Sequence, residues 1–126
     1  MTQEQKDLLL KDLCGRLVYK VKIHILSWNE DTMEYEDKID EVYSINKDGY
    51  VRTANEDYEF ETEDIKPYLF PLSSMTEEQK TSHNFLKHSA YANPIKLVDW
   101  YNKNHFDYRG LIPMGLAIDA TGLNIY

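Results

Sequence analysis

Residues 17–26 read Leu-Val-Tyr-Lys-Val-Lys-Ile-His-Ile-Leu, and this run constrains the fold more than any other. Leu17, Tyr19, Val21, Ile23 and Ile25 occupy one parity, and Val18, Lys20, Lys22, His24 and Leu26 the other. Side chains alternate across a strand, so the pattern predicts a half-buried antiparallel strand with one face in a core. Asn29-Glu30-Asp31-Thr32 is a turn signal. A second extended stretch follows over 33–46, with Tyr35, Ile39, Tyr43 and Ile45 on one parity. Asn46-Lys47-Asp48-Gly49 predicts a hairpin loop, Tyr50–Thr53 a third strand and Tyr58–Glu61 a short fourth.

Helical signals flank these strands. Residues 2–14 carry Thr2 and Gln5 at capping-box spacing, and Leu9, Leu10, Leu13, Cys14 and Leu17 form an apolar stripe. Cys14 is expected to pack there as a small hydrophobe, and Gly15 to end the helix in a left-handed cap. Thr76 and Gln79 repeat the capping box before a thinly apolar surface helix running to about Ser89. Asn93 and Pro94 open a third helix to about residue 104. Leu97, Val98 and Tyr101 are expected to face inward there, with Lys103 and His105 complementing its negative end.

Between strands and helices, Thr62–Ile65 predicts a turn or 3₁₀ piece. Pro67 and Pro71 argue against a helix interior or a central strand, so 65–72 is expected to lie extended and close the sheet. The tail, Phe106–Tyr126, is rich in glycine yet apolar, and is expected to dock on the body or on a partner. Strands followed by helices imply an α+β fold. The expected layout is an N-terminal helix, a curved antiparallel sheet or small barrel, then two helices and a docked C-terminal tail. It is one domain, 1–126, with the helix and small barrel in 1–72 and a helical and tail part in 73–126.

Charge narrows the function classes. The net charge is −8, which disfavours direct contact with nucleic-acid phosphates or an anionic membrane surface. Residues 29–64 hold 14 acidic residues against three basic ones, a net −11. This band reads first as a solvated outer sheet face. Its functional alternative is an electrostatic surface for a basic partner, with Glu59, Glu61 and Glu63 as candidate contacts. Ten tyrosines suit half-buried sheets and contact surfaces. One cysteine forms no internal disulfide, and the first residues do not resemble a signal peptide, so a cytoplasmic location is expected.

His105-Phe106-Asp107-Tyr108-Arg109-Gly110 is the densest polar cluster. If it is extended, His105, Asp107 and Arg109 share a face. They could then act as an acid/base pair with an arginine clamp for an anion. The plainer reading is an Asp107–Arg109 pair that pins a loop beside a helix-capping His105. His83 and His88, five apart, point about 140° away from each other on a helix and make no metal pair; they and His24 read as surface residues. No cofactor, metal ligand or catalytic residue is assigned.

Three segments carry a family resemblance: Asp12-Leu13-Cys14-Gly15-Arg16-Leu17, Ile65–Glu78 (IKPYLFPLSSMTEE) and His105–Ala117 (HFDYRGLIPMGLA). Together they resemble small uncharacterised proteins of gut-bacterial phages and prophages. The resemblance implies a phage or mobile-element origin and action inside a bacterial host. The helix-then-strands half, ending in Ile-Lys-Pro, also looks like an SH3-like small barrel.

Three functions follow as expectations. The first is a non-enzymatic accessory protein that binds another protein. The second is an acidic inhibitor or nucleic-acid mimic aimed at a host DNA-binding or defence protein. The third is a small hydrolase or nucleotide-binding enzyme using His105, Asp107 and Arg109. A homo-oligomer is compatible with all three.

Overall fold

The computed structural model describes residues 1–126. Helix α1 spans Gln3–Arg16, and Thr2 and Gln5 make the reciprocal capping box. A 3₁₀ turn, Leu17–Tyr19, ends in left-handed Lys20 (φ 58°). Strands β1 (Lys22–Asn29), β2 (Glu34–Ile45), β3 (Val51–Thr53) and β4 (Glu59–Phe60) follow. After a 3₁₀ turn at Thr62–Asp64 comes β5 (Lys66–Leu69). Helices α2 (Glu77–His88) and α3 (Pro94–Lys103) precede β6 (Ile118–Asp119) in the tail.

The six strands form an open sheet in the order β4-β3-β2-β1-β5-β6, antiparallel except for the β5–β6 pair. The class is α+β. Of the sheet and barrel alternatives, the open sheet is observed: no pairing joins β4 to β6.

The core lies between the inner sheet face and α1. Leu9 and Leu13 of α1 meet Val21, Ile23, Ile25, Val42, Val51 and Phe60, with Ile65, Leu69, Leu111, Leu116 and Ala117 closing it. Ile23 and Ile25 are fully buried; each contributes about 1.5–3 kcal/mol by leaving water. The strand alternation read from 21–25 is thus realised. Leu17 and Tyr19 instead belong to the connecting turn.

Four local expectations are corrected. Gly15 does not end α1, which runs through Arg16. A Cβ there would lie 3.0 Å from the Asn102 side-chain nitrogen, so the glycine permits close approach of α3. Cys14 is exposed, because Leu9 and Leu13 already define the buried stripe and Cys14 lies off it. Pro67 sits in β5, an internal strand. It is tolerated because β5 pairs with β1 only at Lys66 and Pro67, and with β6 only at Tyr68 and Leu69. Pro67 therefore has a neighbour on one side alone. Val98 is exposed while Leu97 and Trp100 pack inward, since α3 docks through Tyr101 and Asn102.

The tail docks as expected. β6 pairs with β5, and Ala120 N–H donates to Leu69 O at 2.8 Å. The Tyr126 hydroxyl accepts from Lys22 N–H (3.0 Å) and donates to Tyr68 O (2.7 Å).

Candidate functional site

The His105–Arg109 cluster is not a shared extended face. His105 follows α3 in the left-handed region (φ 59°) and is 8% exposed. Its ring stacks on Tyr126 at 3.9 Å, and its Nδ1 has no partner. Burial, aided by the Arg16 and Lys22 charges, pushes its pKa down to about 4. A neutral ring does not complement the end of α3, so that expectation is corrected. Asp107 turns to the chain ahead, accepting from Leu111 N–H (2.8 Å) and Ile112 N–H (2.9 Å). It pins the loop through backbone groups and not through Arg109. Arg109 instead approaches Asp12, Nε to Oδ1 at 3.5 Å, close enough for an ion pair but without a hydrogen bond.

Asp12 and Arg16 carry what the sequence reading missed. Both are 0% exposed. Four residues apart on α1, they form a two-point pair with Nε–Oδ2 at 2.8 Å and Nη2–Oδ1 at 3.1 Å. Arg16 Nη2 also donates to Phe106 O at 2.6 Å. Both Arg16 and Arg109 guanidinium groups lie over the Tyr108 ring, at 5.3 and 5.1 Å. Phe70 N–H donates to His105 O, and Asp107 N–H to Phe70 O, both at 2.8 Å. The segments around Asp12, Phe70 and His105 therefore meet in one polar knot that ties α1, the chain beyond β5 and the tail together. Within the knot, Arg16 Nη1, His105 Nδ1 and Arg109 Nε are buried without a hydrogen-bond partner.

The histidines of α2 differ from each other. His83 is half-buried against α3, its Nε2 2.7 Å from the Tyr101 hydroxyl and its ring near Trp100. The reading of His83 as a plain surface residue is corrected: the α2–α3 contact covers it. Burial lowers its pKa. His24 lies on the outer sheet face, Nε2 2.7 Å from Asp37 Oδ1.

The open chemistry of the molecule is at the surface. The pairing register, Asn29 opposite Glu34 through Lys22 opposite Glu41, puts His24, Leu26 and Trp28 on one face with Ile39, Asp37 and Tyr35. That face points away from the core. Leu26 is 49% exposed, Trp28 42%, Tyr35 66%, Ile39 48% and Tyr43 72%. Trp28 and Tyr35, directly opposite, pack edge to face with centroids 5.0 Å apart. No protein-family model matches this chain, and no curated protein or solved structure matches it either.

Of the acidic candidates, Glu59 joins Leu26, Tyr35, Tyr58, Phe60 and Asp64 around a pocket of about 350 Å³ beside this face. Glu61 and Glu63 line a different hollow of about 230 Å³ with Lys6 and Tyr50. Glu63 is engaged there by Lys6, Nζ–Oε1 at 2.5 Å, which holds its carboxyl below the usual range. The three glutamates are not one surface. Asp40 is buried and structural, accepting from Asn55 N–H and Nδ2. No helix is long and apolar enough to cross a membrane.

Proposed function

We propose that this chain is a non-enzymatic accessory protein that acts by binding another protein, through the outer face of the β1–β2 ribbon. One observation carries the reading: Leu26, Trp28, Tyr35 and Ile39 are exposed on the outer face of the paired β1–β2 ribbon, with Trp28 packed edge to face on Tyr35 and Tyr43 exposed further along β2. Clusters of this kind, with aromatic anchors, mark contact sites far more often than they serve the free monomer. Asp37, Glu59 and Asp64 rim the cluster, so the fitting partner is basic around an apolar centre.

The family resemblance supports a phage or mobile-element origin, and one unpaired, exposed cysteine agrees with a reducing bacterial cytoplasm. A second reading, an acidic inhibitor that occupies the nucleic-acid site of a host protein, is favoured by the carboxylates crowding the ribbon tip. Glu30, Asp31 and Glu34 are all exposed there.

Capture from host lysate with tagged wild-type protein and a Trp28→Ala/Tyr35→Ala variant, at low and high salt, tests both. A partner lost with the variant but retained at high salt supports the apolar contact. A basic, nucleic-acid-handling partner released at high salt supports the mimic. A partner equally retained by both proteins contradicts the ribbon as the contact.

A further inference from the structure

Along one side of β1 the backbone goes from satisfied to open. Val42 N–H donates to Val21 O at 3.1 Å, which marks that facing pair as a hydrogen-bonded one. Bonded and non-bonded pairs alternate along an antiparallel ladder. Lys22, His24, Leu26 and Trp28 therefore aim their N–H and C=O groups away from β2. Lys22 N–H is taken by the Tyr126 hydroxyl, and His24 faces Lys66 of β5. Leu26 and Trp28 have no strand beside them.

The space next to that edge is open and acidic. The pocket of about 350 Å³ carrying Glu59 and an adjoining one of about 310 Å³ share Leu26 and Asp64. An edge is commonly blunted by proline, lysine or a bulge. Positions 26–29 (Leu-Ser-Trp-Asn) carry none of these. The edge of β2 is different. Its outward residues Tyr35, Asp37 and Ile39 run toward the 54–56 loop, which Asp40–Asn55 hydrogen bonds and a Lys38–Glu56 contact hold alongside.

We propose that the open edge of β1 accepts an extended segment of a basic partner as an added strand. Its backbone pairs with Leu26 and Trp28, its apolar residues enter the pocket against Leu26, Tyr58 and Phe60, and its cations meet Glu59 and Asp64. This rests on the ribbon being the contact face and specifies how it is used. Backbone pairing supplies affinity in such an arrangement, and the pockets for alternate side chains supply selectivity.

The probe is a synthetic peptide alternating lysine and valine, compared with its fully N-methylated counterpart. The readouts are affinity, amide hydrogen exchange and the Trp28 indole NMR signal. The parent peptide should bind and slow exchange at Leu26 and Trp28. The methylated peptide, unable to donate backbone hydrogen bonds, should bind about tenfold more weakly or worse. Glu59→Lys/Asp64→Lys should weaken the parent peptide, more so at low salt. Equal affinity of the two peptides with a shifted Trp28 signal would overturn strand addition and leave the contact face standing. Protection at Tyr35, Asp37 and Ile39 in place of Leu26 and Trp28 would overturn it too. No response of Trp28 to either peptide would overturn both the edge and the face.

Discussion

His105 makes the fold sensitive to acid in a calculable way. In the unfolded chain its imidazole titrates near the ordinary value of 6.5, whereas in the fold it titrates at about 4. Between those values the unfolded chain binds a proton that the folded one refuses. Stability therefore rises with pH across this window: it is fully present above about 6.5, falls as pH drops, and levels below about 4. A shift of this size amounts to about 3 kcal/mol, since each pH unit is worth about 1.4. The cause is burial against Tyr126 together with the Arg16 and Lys22 charges. His105→Asn tolerates the left-handed backbone and removes the titration. Urea unfolding at a series of pH values between 4 and 7 is the assay. Carboxylates contribute acid sensitivity of their own, so the difference between wild type and variant is the quantity read. The variant starts less stable at pH 7 because it loses the stack, and the gap should narrow steadily toward pH 4. Parallel curves would refute the reasoning, because they would mean that His105 stays protonatable in the fold.

Other outcomes follow from the knot and the tail. Asp12→Ala strands the Arg16 charge in a site with no exposure, and should cost about 3–5 kcal/mol in urea unfolding. Asp12→Leu/Arg16→Met, which removes both charges, should recover much of that. Tyr126→Phe leaves Lys22 N–H and Tyr68 O without their hydroxyl partner, and should cost about 1 kcal/mol or slightly more. It should also speed amide exchange at Lys22 before it changes exchange at Ile23 or Ile25. Trp28→Ala/Tyr35→Ala removes a cross-strand pair on an exposed face, so its cost should stay within about 1–1.5 kcal/mol.

Much of the architecture was legible because it is written in local signals. Thr2, Thr76 and Asn93 cap the helices that their spacing predicts, and Asp48-Gly49 turns the hairpin, with Gly49 at φ 85° and a Cβ there 3.0 Å from the tip of the Leu10 side chain. The alternation of Val21, Ile23 and Ile25 was legible for the same reason. What escaped depends on partners distant in sequence. Asp12 and Arg16 look like any exposed helical pair; only Phe106, 90 residues away, and the covering tail bury them. Gly15 resembles a cap until Asn102 is placed beside it. His105 resembles a charged helix end until Tyr126 covers its ring.

The outer aromatic face was within reach of a stricter argument. A four-residue turn between Asn29 and Glu34 pairs odd residues of β1 with even residues of β2. If Val21, Ile23 and Ile25 face the core, then Asp40 and Val42 do as well. Tyr35, Ile39 and Tyr43 must then stand outside. Register, once set by the turn, decides the face of every side chain on the partner strand.

The measurement that bears most directly on the central claim is the affinity of a captured partner for two variants of matched stability. One is Trp28→Ala/Tyr35→Ala on the ribbon. The other is Phe85→Ala on α2, where Phe85 is also exposed, beside a hollow of about 430 Å³. The ribbon variant should lose about thirtyfold or more, the scale of a hot-spot pair, while Phe85→Ala should change affinity by less than about threefold. The reverse pattern would place the contact on the helices and contradict the account.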